Sequence, residues 1–241
     1  MLNHIFHAIK TIPELRWSFP MFALYAMLAA LISGYIKIHY RWNTDHTRKI
    51  FHFLIFTAAA VIQFIWALPG VLLFGMTVAV VILWACVRKN QSPFYQSIAR
   101  SRDNPHQLFF IVLPFIATGL GGLISNLLFR DYAIFGYLLV GWGDAAAEPA
   151  GIRWGRHKYS VLSMAGIKAI RSLEGSLTLF VIGIIACMLL SLFFQQDTQT
   201  MIPVALMCSL TGVLVEAVSI HGMDNLTVQV AVSGMAYLIL N

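Results

Sequence analysis

The sequence predicts an all-α, polytopic integral membrane protein, a bundle of about eight transmembrane helices. Three observations carry that expectation. Mean hydropathy is +0.77, with 59% of residues hydrophobic and 11% charged, against roughly 25% charged in a soluble domain. The apolar residues gather into runs near the ~20 residues that a helix needs to cross a hydrocarbon core. The basic residues fall between those runs and favour one side. A chain of 241 residues holds such spans and little more, so 1–241 reads as a single membrane domain. No repeat, low-complexity tract or long linker marks a second one.

Residues 1–18 read as an interfacial N-terminal segment, with Trp17 near the bilayer boundary. Apolar runs follow at 19–38, 51–68, 70–87, 108–129, 132–147, 175–194, 201–218 and 225–240. The second and third are parted only by Leu68, Pro69 and Gly70, a breaker cluster that suits a tight hairpin. One long kinked segment there would reduce the count to about seven. Gly119, Gly121 and Gly122 read as close helix contacts or a break in the fourth span. Cys86, Cys187 and Cys208 all lie inside spans without paired spacing, which suits buried packing rather than a disulfide framework or metal site.

Orientation follows from the basic residues, because cytoplasmic loops carry the positive excess. Lys37, Arg41, Arg48 and Lys49 follow the first span. Arg88, Lys89, Arg100 and Arg102 follow the third, and Arg153, Arg156, Lys158, Lys168 and Arg171 the fifth. Only Lys10, Arg16 and Arg130 lie elsewhere among the 16 Lys and Arg. With eight spans, both termini lie on the opposite face. The net charge of +6 is thus mainly a topology signal, one that also attracts anionic lipid heads and a polyanionic nucleotide. It does not make so apolar a chain a nucleic-acid binder.

The carboxylates carry more chemistry, since an acid at the membrane edge is costly unless a cation, metal or wet cavity accounts for it. Asp144, Glu148, Glu174, Glu216 and Asp224 all fall at or near span ends on the expected cytoplasmic side. Asp144 and Glu148 are one helical turn apart. Such a pair suits magnesium, a hard cation that takes one or two carboxylates and completes its shell with water and phosphate oxygens. The bland alternative is that these acids are solvated caps or partners of nearby Arg and Lys, with a buried ion pair the rival reading for Glu216.

Local glycine patterns are weaker. Gly141-x-Gly143-x-x-Ala146 lies within an apolar span with no preceding strand, so it is not a dinucleotide fingerprint, and no Walker-type loop is present. Gly151 and Gly155 suit a helix-packing pair at least as well as a phosphate cradle. His46, His106 and His221 have no ligand partners at metal-binding spacing. Asn225-Leu-Thr227 matches a glycosylation sequon but sits on the expected cytoplasmic side.

Three ordered elements point to a family: Gly143-Asp144-Ala-Ala-Ala-Glu148-Pro-Ala-Gly151, then Gly155-Arg-His-Lys158, then Arg171-Ser-Leu-Glu174-Gly175-Ser176. Together they resemble the CTP-dependent polyprenol and lipid kinases. That family includes dolichol kinase, phytol and farnesol kinases and the CTP-dependent diacylglycerol kinase, and belongs with the phosphatidate cytidylyltransferases. Arg48-Lys49-x-x-His52 resembles its early Arg-Lys-x-x-His element, and Glu216 with Asp224-Asn225-Leu-Thr227 its late acidic element. The chain departs from the pattern at Arg171, where a Lys is expected, and at Gln229, where Pro is common. Arg and Lys are not interchangeable at a phosphate site.

The resemblance implies transfer of the terminal phosphoryl of CTP to a lipid alcohol (a prenol such as phytol, farnesol or a polyprenol, or diacylglycerol) with magnesium as cofactor. It assigns Asp144 to metal binding or base catalysis, and Glu148 and Glu174 to metal-shell or orienting roles. Arg48, Lys49, Arg153, Arg156, Lys158, Lys168, Arg171, Ser172 and Ser176 are expected near nucleotide or lipid phosphate. His52, Gly151, Gly155, Gly175, Glu216, Asp224 and Asn225 match motifs with roles open. Two other readings stand beside it: CMP transfer to a lipid phosphate, and a non-enzymatic transporter or lipid-binding scaffold whose intramembrane acids serve an ion path.

Overall fold

Tyr25 decides how the first long apolar stretch is folded. In the computed structural model of the chain, which describes residues 14–164 and 169–241, its hydroxyl donates to the Leu54 carbonyl at 3.0 Å. Its ring lies 6.2 Å from that of Phe74. Leu54 and Phe74 both belong to the helical stretch Thr44–Arg88, and a straight helix would hold them about 30 Å apart. The stretch therefore doubles back. It breaks at Ala67 (φ 49°, ψ −149°), two residues before Pro69, where the ring and missing N–H oppose a continuous helix. The breaker cluster thus acts as a hairpin.

The chain forms two compact units, Met1–Val112 and Leu113–Asn241. In the first, α1 (Phe19–His39) packs on both limbs of α2 (Thr44–Arg88) and on the short α3 (Pro93–Ile98). Gly34 is needed where α1 meets α3, because a Cβ there would lie 2.9 Å from the Phe94 amide nitrogen. Below this contact, buried hydroxyls hold the three helices together. Ser33 Oγ lies 2.8 Å from the Thr47 carbonyl and 2.9 Å from Ser97 Oγ, and the Thr47 hydroxyl donates to the Ser97 carbonyl at 2.7 Å. Two ion pairs at 2.8 Å, Arg100–Asp103 and Arg102–Asp45, close the unit's polar end.

The helix α4 (Gln107–Phe129) starts in the first unit and continues into the second. There the chain turns at Arg130–Tyr132 into α5 (Ala133–Leu138). The Asn126 side-chain amide donates to the Tyr137 hydroxyl at 2.7 Å, although these residues would be about 16 Å apart in a straight helix. A π-helical turn, Leu139–Asp144, then leads into α6 (Ala145–Trp154). Its first residue, Leu139, is fully buried against Gly183 of α7 (Leu173–Phe193) and Gly212 of α8 (Thr198–Val218). The last helix, α9 (Asp224–Leu240), lies against α5 at Gly136, where a Cβ would stand 2.6 Å from the Gln229 carbonyl and from Ser233 Oγ.

The all-helical expectation needs one correction. Lys158–Val161 (β1) and Ala169–Ser172 (β2) form an antiparallel hairpin, with Lys158 opposite Ser172 and Val161 opposite Ala169. The Tyr, Val and Ile of these strands suit a pleated, half-buried surface. Within a charge-rich connection between spans, that signal is too short to stand out.

The protein is otherwise mostly helical and is an integral membrane protein. Among the described residues, Phe19–His39, Thr44–Gln91, Gln107–Trp154, Leu173–Phe193 and Thr198–Val218 are long and apolar enough to cross a bilayer. Large apolar side chains such as Leu24, Leu31, Val80, Leu177 and Leu214 face outward and stand more than half exposed, as lipid-facing residues do and soluble surfaces rarely tolerate in such numbers. Cys187 and Cys208 are buried and Cys86 half-buried, all as free thiols. The interfacial segment expected over 1–18 lies largely outside the described residues. Its end, Glu14–Ser18, is a 3₁₀ turn with Trp17 exposed.

Steric contact at Gly136 separates packing from propensity. Gly136→Ala is expected to destabilise the detergent-solubilised protein by about 1–3 kcal/mol through overpacking. Gly119→Ala, where nothing lies within 4 Å of the added methyl, should be neutral or stabilising by up to about 1 kcal/mol. Paired thermal melts of the two variants check this.

Candidate functional site

Five of the second unit's elements present an end to the same region. The π turn closes on Asp144, α6 carries Glu148 in its first turn, the β1–β2 hairpin leads into α7, α8 ends at Val218, and α9 starts at Asp224. Helix ends expose unpaired N–H and C=O groups. Polar side chains placed there meet both those groups and one another.

Arg171, on β2, is the node. Its Nε donates to Glu216 Oε1 at 2.8 Å and its Nη2 to Asp224 Oδ2 at 2.8 Å. Its Nη1 donates to the Glu216 carbonyl and more distantly to that of Ser219, at 3.5 Å. A cation on the last carbonyls of α8 is favourably placed in the helix dipole. Burial alone would push the guanidinium's pKa down, but Glu216, then Asp224 and Asp144, hold it above its ordinary value. Asp144 therefore lies within electrostatic reach of Arg171. Glu216 is only 8% exposed, so the buried ion pair raised as its rival reading is what the structure contains.

The turn that brings Glu216 to Asp224 is tight. Gly222 adopts φ +91°, a conformation that costs glycine little. Ser219 Oγ lies 2.6 Å from Thr227 Oγ1, and the His221 N–H donates to the Leu162 carbonyl at 2.8 Å, tying the turn to the hairpin. Asn225 is buried, and its amide donates to Thr118 Oγ1 at 2.8 Å. That engagement leaves the sequon unsuited to a glycan.

Glu174 sits in the first turn of α7, where an acid suits the helix N-terminus. It accepts from the His157 backbone N–H at 3.2 Å and lies 2.8 Å from His157 Nδ1. Ser172 is the N-cap of the same helix, accepting from the Gly175 N–H at 3.1 Å. A Cβ at Gly151 would stand 2.9 Å from Ser172 Oγ, and one at Gly175 would stand 3.0 Å from the Ala147 carbonyl. Gly151, Gly155 and Gly175 thus let α6 close on the start of α7. Of the two readings of the glycine pair, close packing is the one these contacts support.

The residues differ in what they offer a ligand. Asp144 and Glu148 are half-buried, and Arg153, Arg156 and Lys158 are exposed. Arg153 stacks on the Trp154 ring, 5.4 Å from its centroid. Ser176 Oγ lies 2.9 Å from the Tyr159 hydroxyl. Tyr159 itself escaped sequence reasoning, which had no motif to attach it to. Its half-buried phenol is raised above its ordinary pKa by burial, an effect the Ser176 hydrogen bond opposes. Lys168 lies outside the described residues. Arg48, Lys49 and His52 belong to the first unit, on the opening turns of α2, where Lys49 is buried and the other two half-buried.

Among the described residues, no group of three or more His, Cys, Asp or Glu is arranged to hold a metal. The Asp144–Glu148 pair supplies oxygen donors only. That set fits magnesium, which binds through one or two carboxylates with water and phosphate completing the shell.

Similarities to known proteins bear on this site. The chain is 29% identical over 184 residues to a phytol kinase from Synechocystis sp., covering 76% of this chain and 74% of that protein. It is 29% identical over 120 residues to CTP-dependent diacylglycerol kinase 1 from Schizosaccharomyces pombe, covering 46% of this chain and 52% of that protein. No family model matches the chain, and no solved structure matches it significantly. The two similarities bear out the resemblance to the CTP-dependent lipid kinase family.

The cap provides a local test. Ser172→Ala should cost about 1 kcal/mol of stability, the usual value of a lost N-cap, with Ser172→Asp recovering part of it. Chemical denaturation of the solubilised protein measures both.

Proposed function

We propose that this protein is a membrane-embedded kinase that transfers the terminal phosphoryl group of CTP to the hydroxyl of a lipid alcohol at the cytoplasmic face. The lipid is a prenol such as phytol, farnesol or a polyprenol, or diacylglycerol. The observation that carries the reading is the Arg171–Glu216–Asp224 cluster, within electrostatic reach of Asp144, in a chain similar to a phytol kinase over three quarters of its length. CTP as donor is supported by the similarity to a CTP-dependent diacylglycerol kinase.

The membrane arrangement follows from the same reasoning. The reversals at Ala67 and Arg130, which divide the two longest helical stretches, support a reading of eight membrane-crossing helices. On that reading most of the basic residues fall on the side that the positive-inside rule makes cytoplasmic. Each end carrying an acidic site residue falls on that side. A lipid hydroxyl held at the boundary meets a nucleotide arriving from water.

In the transfer, the alcohol oxygen attacks the γ-phosphorus, the bond from that phosphorus to the β–γ bridging oxygen breaks, and CDP leaves. The hydroxyl proton passes to a carboxylate, for which Asp144 is the candidate base. Phosphoryl transfer is mainly positioning and charge stabilisation. Asp144 and Glu148 would hold magnesium, which neutralises developing phosphate charge. Arg156, just before the hairpin, and Lys158, its first residue, are exposed and supply phosphate contacts, as do Lys168 and Ser176. Arg offers a planar fork and Lys a point charge. Glu174 orients the Arg156–His157 segment through its bonds to His157.

Incubation in detergent with magnesium, CTP labelled at the γ-phosphate and a panel of prenols and diacylglycerol is expected to place label in an organic-extractable phosphomonoester. Pyrophosphate release that requires phosphatidate would overturn the kinase in favour of CMP transfer, and no turnover with any lipid would favour a transporter or scaffold. Asp144→Asn should lower turnover by at least about 10³-fold, within the range that positioned acid–base groups contribute, at unchanged membrane expression. Retained activity would refute its role.

A further inference from the structure

Arg171 stands where the family resemblance leads to the expectation of a lysine, and the contacts of its guanidinium are ones a lysine could not make. A guanidinium carries five N–H donors in a rigid fork. Here Nε points at Glu216 Oε1 and Nη2 at Asp224 Oδ2, each at 2.8 Å, while Nη1 serves the carbonyls of Glu216 and Ser219. Four of those donors are directed to the protein itself. The one remaining cannot make the two-point grip by which arginine binds phosphate. The side chain is 12% exposed, so it is also poorly placed to reach outward as Arg156 and Lys158 do.

Every partner of the fork belongs to the segment joining α8 to α9. Glu216 lies in the last turn of α8, Ser219 caps it, and Asp224 opens α9. A second tie, from the His221 N–H to the Leu162 carbonyl, connects this segment to the same hairpin on which Arg171 sits. A lysine, with one nitrogen on a flexible stem, cannot span two carboxylates and two carbonyls with fixed geometry.

We propose that Arg171 is a positioning residue that clips the α8–α9 turn to β2 and holds Glu216 and Asp224 as fixed charges beside Asp144, rather than a ligand of the substrate phosphate. The catalytic consequence rests on the kinase reading; the clip does not. Glu216 and Asp224 supply negative potential at the Asp144 end of the site only while the fork keeps them there. Release of the fork leaves a buried carboxylate without its cation, and the turn must open to hydrate it.

The test uses the full chain in detergent with two readouts. In the first, amide hydrogen exchange over residues 216–227 is followed without nucleotide or lipid. Arg171→Lys and Asp224→Asn should each speed exchange there by at least about tenfold, and the double variant should add little to either, since both break one interaction. In the second, Arg171→Lys should lower kcat by at least about tenfold while the KM for CTP stays within about threefold, as expected for a lost transition-state arrangement and not a lost ground-state contact. Exchange unchanged in both variants would overturn the proposal, as would a KM for CTP raised about tenfold with kcat retained. Should Arg171→Lys fail to fold, Asp224→Asn alone decides, because it removes the charged arm that ties the fork to α9 and leaves the guanidinium in place. Wild-type protein that exchanges slowly in this segment but phosphorylates no lipid refutes the kinase while the exchange data still judge the clip.

Discussion

Glu216 is buried at the end of an apolar helix, and a carboxylate there persists as a charge only if a cation meets it. Desolvating one ion costs several kcal/mol, and only close, well-directed partners recover that. The Arg171 guanidinium is that partner, and the requirement governs the rest of the second unit. It draws the hairpin down onto the α8–α9 turn, brings Asp224 in as a second acid, and thereby gathers the ends of helices distant in sequence. A fold that buried only apolar groups would have no reason to converge at this point.

Convergence also needs small residues. Lipid tails are as apolar as leucine, so helices in a bilayer associate through close packing rather than through water exclusion. Gly183 and Gly212 admit Leu139, Gly136 admits the α9 backbone, and Gly151 with Gly175 lets α6 reach the start of α7. These contacts set how near Asp144 and Glu148 come to the Arg171 cluster. The glycine-rich appearance of the motif is thus largely a packing requirement, and the chemistry belongs to the charged residues that the packing brings together.

Much of this was legible in the sequence, for identifiable reasons. Span positions follow from apolar runs, because a bilayer enforces a length that soluble folds do not. The turn at Leu68–Gly70 was visible because proline and glycine act locally. Asp144, Glu174, Glu216 and Asp224 stood out because acids are costly where they lie. The β1–β2 hairpin was not legible, since four-residue strands among charges leave no sustained period. Nor was the direction of the Arg171 fork. Whether a guanidinium faces a phosphate or two carboxylates is decided by residues 45 and 53 positions away, and no local pattern encodes that.

For the proposed phosphoryl transfer, rigidity at these helix ends is the relevant property. The reaction asks the protein chiefly to hold nucleotide, cation and hydroxyl in line and to keep fixed charge where charge develops. Side chains on mobile loops would lose that arrangement to solvent reorganisation. Here the acids sit on the last or first turns of packed helices, while the bases suited to a phosphate, Arg156 and Lys158, lie exposed just before and at the start of the hairpin. Such a division lets one set stay in place while the other adapts to an arriving nucleotide. A cation that served both purposes could do neither well, which is why a fork committed to Glu216 and Asp224 fits the first set and leaves the second to bind.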